Sequence, residues 1–168
     1  MNTKLEKKLF NKYPKLFRQK DLPMNQTAMY WGLQCGDGWY DLIDKVCEYL
    51  QNMINWNNWP QVEFTTVKEK FGGLRIYWDL KSKGKKEFNE DKKLKKKYSS
   101  YTEYRNHCYN IYEFIDGTIS LAEHLSYSIC ELCGKEGKRR NIYGWVHTLC
   151  DDCVKKYKNR FKKTLIGG

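Results

Sequence analysis

Cys130, Cys133, Cys150 and Cys153 form two Cys-x-x-Cys pairs separated by sixteen residues. Two thiolates three positions apart grip one tetrahedral ion from a single tight knuckle, and two such knuckles supply the four sulfur ligands of a closed structural zinc site. A redox dithiol is the other chemistry open to Cys-x-x-Cys. That motif opens a helix in a βαβ unit, however, and two copies at this spacing favour metal. Four thiolates leave no position for water or substrate, so the expected Zn2+ is structural, contributing on the order of 10 kcal/mol or more to folding. His147, three residues before Cys150, is a weaker candidate ligand because four sulfurs already suffice.

A second kind of chemistry is anion binding. In KEKFGGLRIY, residues Lys68, Lys70, Arg75 and Tyr77 surround a Gly-Gly pair expected to be a flexible hairpin tip that closes over an anion or stacks a base. No Gly-Lys-Ser/Thr follows, so this is not a P-loop, and an ordinary hairpin with exposed charges accounts for it as well. Arg139 and Arg140, with Lys155, Lys156, Arg160 and the other lysines of the terminal segment, make an electrostatic footprint suited to phosphates. The competing reading is a solvated helix face. Cys35 stands just before an expected helix start, where the helix dipole lowers a thiol pKa. A Cys-dependent activity with His107 or His124 is therefore conceivable, although inert buried thiols are commoner. Cys47 and Cys108 read as core, and nothing in the spacing of Cys35, Cys47, His107 and Cys108 selects a second metal site.

These residues need positioning. Leu5, Leu9 and Phe10 mark a short amphipathic helix closed by Pro14. PMNQTAMYWGLQCGDGW reads as irregular but packed, being too rich in aromatics and Met for a solvated loop. Asp37 is the expected N-cap of a helix whose apolar face runs from Trp39 to Ile54 and which stops at NWNNWP. Residues 61–80 read as a β-hairpin about Gly72 and Gly73, with Val62, Phe64 and Thr66 on one face of its first arm. Residues 81–98 hold too few apolar side chains to fold alone and are expected to be a mobile loop, or a helix formed only on a partner. Tyr104, Cys108, Ile111, Ile115, Ile119, Ala122 and Leu125 then define one long helix, with a potential break at Asp116-Gly117. It runs straight to Cys130. A knuckle, two short strands about Gly144 and a closing helix follow, an order that resembles a treble-clef zinc finger. On that helix Val154, Tyr157, Phe161 and Leu165 share one face, and lysines including Lys162 and Lys163 occupy much of the rest. Of the six tryptophans, Trp56 and Trp59 are the ones expected at the surface.

The fold class is therefore α+β: a core of helix, hairpin and long helix over residues 1–128 and a zinc module over residues 129–168. The formal charge of +11 is uneven. Residues 81–98 carry nine basic side chains against three acidic, and residues 129–168 carry ten against four. Such clustering favours an anionic partner, most commonly nucleic acid or a nucleotide. Neither a signal peptide nor a membrane span can be read from MNTKLEKKLFNKY, and seven cysteines without an export signal suit a reducing compartment, so a cytoplasmic setting is expected.

The succession PMNQTAMYWGLQCGDGWYDL, KEKFGGLRIY, SICELCG and TLCDDC resembles a family of small bacteriophage and prophage proteins. The resemblance covers most of the chain and implies a phage setting, with the cytoplasm of an infected bacterium as location, and no particular activity. It favours a non-enzymatic binding role. Nucleic acid is the first expectation; an anti-defence factor that binds a host immune protein or sequesters a nucleotide signal is the alternative.

Overall fold

The computed structural model describes the backbone of residues 1–166 and the side chains of residues 1–159. α1 (Thr3–Lys12) is capped by Asn2, whose side-chain oxygen accepts the amide protons of Lys4 and Leu5. The chain then winds through two 3-10 turns, Arg18–Asp21 and Ala28–Trp31. As its composition predicts, this irregular stretch is packed: Leu16, Phe17 and Met29 are fully buried. A two-residue strand, β1 (Leu33–Gln34), follows, and a 3-10 turn over Asp37–Trp39 leads directly into α2 (Tyr40–Asn57).

Asp37 does not cap that helix. Its carboxylate accepts from the backbone N–H and the side-chain amide of Asn2 at 2.6 and 2.7 Å, tying the start of α1 to the start of α2. α2 buries Ile43, Val46, Cys47, Leu50 and Ile54, and it ends on Asn58 in the left-handed region, φ 49°. Asparagine tolerates that conformation better than most residues, which is why the Asn-rich run stops the helix here.

β2 (Val62–Lys70) and β3 (Gly73–Leu80) form the predicted hairpin, with β1 added in parallel along the outer edge of β2. Strict alternation fails in β2, where Val62, Phe64 and Val67 are the buried apolar residues. A bulge between Phe64 and Thr66 inserts one residue and inverts the facing, so Val67 rather than Thr66 enters the core. The turn also differs from expectation. Phe71 (φ 54°) and Gly72 (φ 77°) are its two central residues, and Gly73 is already the first residue of β3. Gly73 is needed for a different reason: a Cβ there would lie 2.6 Å from the ring of Tyr127.

Residues 81–98 are not a loop. They form two short helices, α3 (Lys85–Glu90) and α4 (Lys92–Lys97), joined at Asp91, which ends the first and caps the second by accepting from Lys93 and Leu94. Few apolar residues suffice because Phe88 and Tyr98 are both placed on the next helix, in a separate small core with Tyr104 and Cys108. That helix, α5 (Tyr101–Ser126), runs unbroken through Asp116-Gly117. Its buried face, Ile111, Ile115, Ile119 and Ala122, packs on β3 and α2 to close the main core. Near its end Glu123 accepts from the Ile76 amide and Ser126 from the Leu74 amide, which fixes the hairpin against it.

Candidate metal centre and basic surface

The first cysteine pair sits on a knuckle. The Cys130 amide donates to Lys135 and the Gly134 amide to Cys130, with Gly134 at φ 77°. An antiparallel hairpin follows, β4 (Lys138–Ile142) and β5 (Trp145–Leu149), turning on Tyr143 (φ 54°) and Gly144 (φ 88°). α6 (Asp151–Ile166) then begins, so that Cys150 immediately precedes the helix and Cys153 lies in its first turn. All four sulfurs fall within 4.8 Å of one another, and Cys133 and Cys150 are 3.6 Å apart. A tetrahedral ion with metal–sulfur bonds of about 2.3 Å places its sulfurs about 3.8 Å apart, so the four are close enough to hold one metal ion. The Cys153 amide and the neighbouring sulfurs lower the Cys150 thiol to about 7, while burial raises those of Cys133 and Cys153.

The knuckle is built into the core. The Gly38 amide donates to the Glu131 carbonyl at 2.9 Å, and the Trp39 indole donates to the Ile129 carbonyl at 3.0 Å. A Cβ on Gly36 would overlap the Glu131 carbonyl, and one on Gly38 would overlap the Cys130 carbonyl. The Cys-Gly-Asp-Gly-Trp segment thus forms the seat of the first cysteine pair.

A second junction joins the two hairpins. The Thr148 hydroxyl donates to the Gly72 carbonyl at 2.5 Å, and a Cβ on Gly72 would come within 3.2 Å of Val146. Beneath them, His147 Nδ1 and a Glu131 carboxylate oxygen are 2.7 Å apart, and the His147 ring packs on Tyr157. His147 is therefore a partner of Glu131, and it stands outside the four-sulfur group.

The anticipated basic residues are distributed unequally. Arg75 donates to the Tyr127 hydroxyl at 2.6 Å and to the Leu74 carbonyl, and Arg139 also lies over the Tyr127 ring, 5.1 Å from its centre. Arg140 bonds the Leu149 carbonyl and Asp151, so it closes the module on itself. Lys68 and Lys70 lie over the rings of Tyr77 and Phe71. Lys155 and Lys156 are exposed on α6. The side chains of Arg160, Phe161, Lys162, Lys163 and Leu165 lie outside the described residues. The hairpin tip expected to swing over an anion is instead braced by Thr148 and Tyr127.

The remaining cysteines do not assemble. Cys35 and Cys47 belong to the main core and Cys108 to the small one, and among the described residues the four-sulfur cluster is the only grouping suited to a metal. Burial pushes the Cys35 thiol up to about 12, outweighing any effect of the helix that follows. His107 lies beside Tyr98 in the small core, and His124 is exposed on α5. Trp56 is exposed as expected, whereas Trp59 packs edge-on against Phe114; Trp31 and Trp145 are exposed instead.

Gly36, Gly38, Glu131, Tyr127 and Thr148 carry the junction and were not singled out by sequence reasoning. The Gly-x-Gly spacing before Trp39 is the one local sequence feature that marks the junction. Among the described residues no helix is long and apolar enough to cross a membrane. Compared with protein-family models, curated proteins and solved structures, the chain matches none.

Proposed function

We propose that the four cysteines hold a structural Zn2+ in a treble-clef-like finger, and that the paired hairpin turns beside it bind single-stranded nucleic acid. One observation carries this reading. Both turns, Phe71-Gly72 and Tyr143-Gly144, put an exposed aromatic residue into the left-handed backbone region. Two-residue hairpin turns with two positive φ values favour Asn or Gly at that place, and a bulky side chain there costs on the order of 1 kcal/mol. Such strain, repeated in two abutting hairpins, is the kind of backbone outlier from which a functional role is inferred. Trp145 follows the second turn and is 71% exposed. Bases stack on aromatic faces with little regard to sequence, and nearby cations follow the backbone. Lys70 over the Phe71 ring and Arg139 over the Tyr127 ring are cations at the hairpins, Lys155 and Lys156 are exposed on α6, and among the described residues none of the four has a carboxylate within ion-pairing distance. The exposed rings and the phosphate-seeking lysines together favour a flexible strand over a duplex.

The test is fluorescence anisotropy with labelled oligo-dT and oligo-rU across a salt series. Affinity should fall steeply with salt, and Trp145→Ala or the Lys155→Glu/Lys156→Glu pair should weaken it about tenfold or more. Salt-independent binding, or variants that bind like the parent, would overturn the reading.

A further inference from the structure

The lysine-rich helix α4 serves no role in the hairpin surface, yet it walls a cleft of about 420 Å³ at the other end of the core. Its apolar side is aromatic, formed by Trp59 and Tyr98 with Tyr104 behind them. Its polar side carries four lysines, Lys81, Lys83, Lys93 and Lys97, against one carboxylate, Asp91. Lys81 and Lys83 are engaged by Glu63, Asp79 and Asp91 at 2.5 to 3.4 Å. Lys93 and Lys97 also line the cleft; the Asp91 carboxylate accepts from the Lys93 backbone amide and pairs with Lys83, and among the described residues the side-chain ammonium of neither Lys93 nor Lys97 is in an ion pair. They are one helical turn apart, on the same side of a six-residue helix that carries five lysines. Like charges at that spacing repel, and a helix so short has little stability of its own to offset the repulsion. Lys97 Nζ is also 5.3 Å from the centre of the Tyr98 ring, so a cation hangs over the aromatic floor.

We infer that this cleft binds a nucleobase bearing a phosphate, with the base against Trp59 and Tyr98 and the phosphate between Lys93 and Lys97. The volume suits a ligand of that size, and an anion between the two lysines converts their repulsion into attraction. The same chemistry is offered by a free nucleotide and by the phosphorylated end of a strand. The site is separate from the hairpin surface and does not depend on it.

The experiment is a titration of the intact, metal-loaded protein with adenosine 5′-monophosphate, followed through the NMR signals of the Trp59 indole and the Tyr98 ring. Saturable shifts at both are expected, with adenosine and inorganic phosphate each about tenfold weaker. Lys93→Gln with Lys97→Gln, both exposed positions, should reduce affinity about tenfold or more while leaving the thermal melt and oligo-dT binding unchanged. Absence of shifts at Trp59 and Tyr98, undiminished binding by the double variant, or phosphate binding as tightly as the nucleotide would each overturn the inference. A stronger response to a 5′-phosphorylated than to a 5′-hydroxyl oligonucleotide, exceeding that to the mononucleotide, assigns the ligand as a strand end; the reverse order assigns a free nucleotide. Loss of oligo-dT binding through Trp145→Ala leaves this result untouched, so the two sites fail separately.

Discussion

Gly38 and Glu131 are joined by a backbone hydrogen bond of 2.9 Å across ninety-three positions of sequence, with the Gly38 Cα turned toward the Cys130 carbonyl and no room for a side chain between them. The knuckle that carries half of the metal ligands thus rests on backbone of the amino-terminal half. Gly38→Ala should force the two apart and cost about 1–3 kcal/mol. It should also release metal to a chelator faster than the parent. Paired thermal melts and chelator kinetics check both effects, and Gly117→Ala, whose Cβ meets nothing within 4 Å, is the control expected to leave metal retention alone.

Removing the metal should loosen more than the module. Native mass spectrometry is expected to show one metal ion per chain, and chelation should make Cys130, Cys133, Cys150 and Cys153 reactive toward iodoacetamide. Cys35 should stay unmodified at neutral pH while the core is folded, since it is buried and its thiol is pushed up to about 12. Hydrogen exchange should rise at the β2–β3 turn as well, because Thr148 is its brace. Protection there that is indifferent to the metal would show that the two hairpins are independent.

Phe71 offers a separation of stability from binding. Phe71→Asn relieves a left-handed phenylalanine and should leave the fold as stable as the parent or up to about 1 kcal/mol more so. The same change should weaken oligonucleotide binding severalfold, because the exposed ring and the Lys70 contact over it are lost. Denaturant melts and anisotropy on one preparation decide the matter.

Glu63 is a buried carboxylate on β2 with three partners: Arg18 Nε at 2.5 Å, Gln19 at 3.3 Å and Lys81 at 3.4 Å. Burial alone would raise its pKa, but these partners outweigh burial and hold it below the ordinary carboxylate value. The folded chain therefore binds this proton less tightly than the unfolded one. Its contribution is complete above the unfolded pKa and disappears as pH falls through the folded one. Glu63→Gln should destabilise by about 1–2 kcal/mol at pH 7, a modest figure because Arg18 is largely exposed. The difference from the parent should begin to shrink as pH falls past the unfolded carboxylate value of about 4.3 and close only below the lower folded one. A gap that does not narrow at all as pH falls through the acid range would mean that shape, not charge, is what Glu63 supplies.

The long helix, the α2 face and the four-sulfur cluster are legible in the sequence because each is a local pattern, either a period of three to four residues or a fixed ligand spacing. What escaped was decided by distant partners. The bulge in β2 shifts the alternation that a strand pattern assumes, and Gly73 reads as a turn residue until Tyr127 is placed above it. Asp37 has the chemistry of an N-cap, yet Asn2 arrives from thirty-five positions away with a better geometry. The lysine run looked unable to fold because its few apolar residues are scattered, and only α5 shows that Phe88 and Tyr98 meet the same tyrosine. Arg75 reads as an anion ligand until Tyr127 claims it.

α5 touches the lysine cleft near its first turn, at Tyr104, and delivers the chain to the hairpin junction after Ser126. At 1.5 Å per residue those ends are about 33 Å apart. The helix is thus a measuring rod, and its length is about that of ten stacked nucleotides. With both proposed sites in place, a mononucleotide would occupy one end only, while a strand long enough to reach both would be held at two points and gain the avidity of a bivalent ligand.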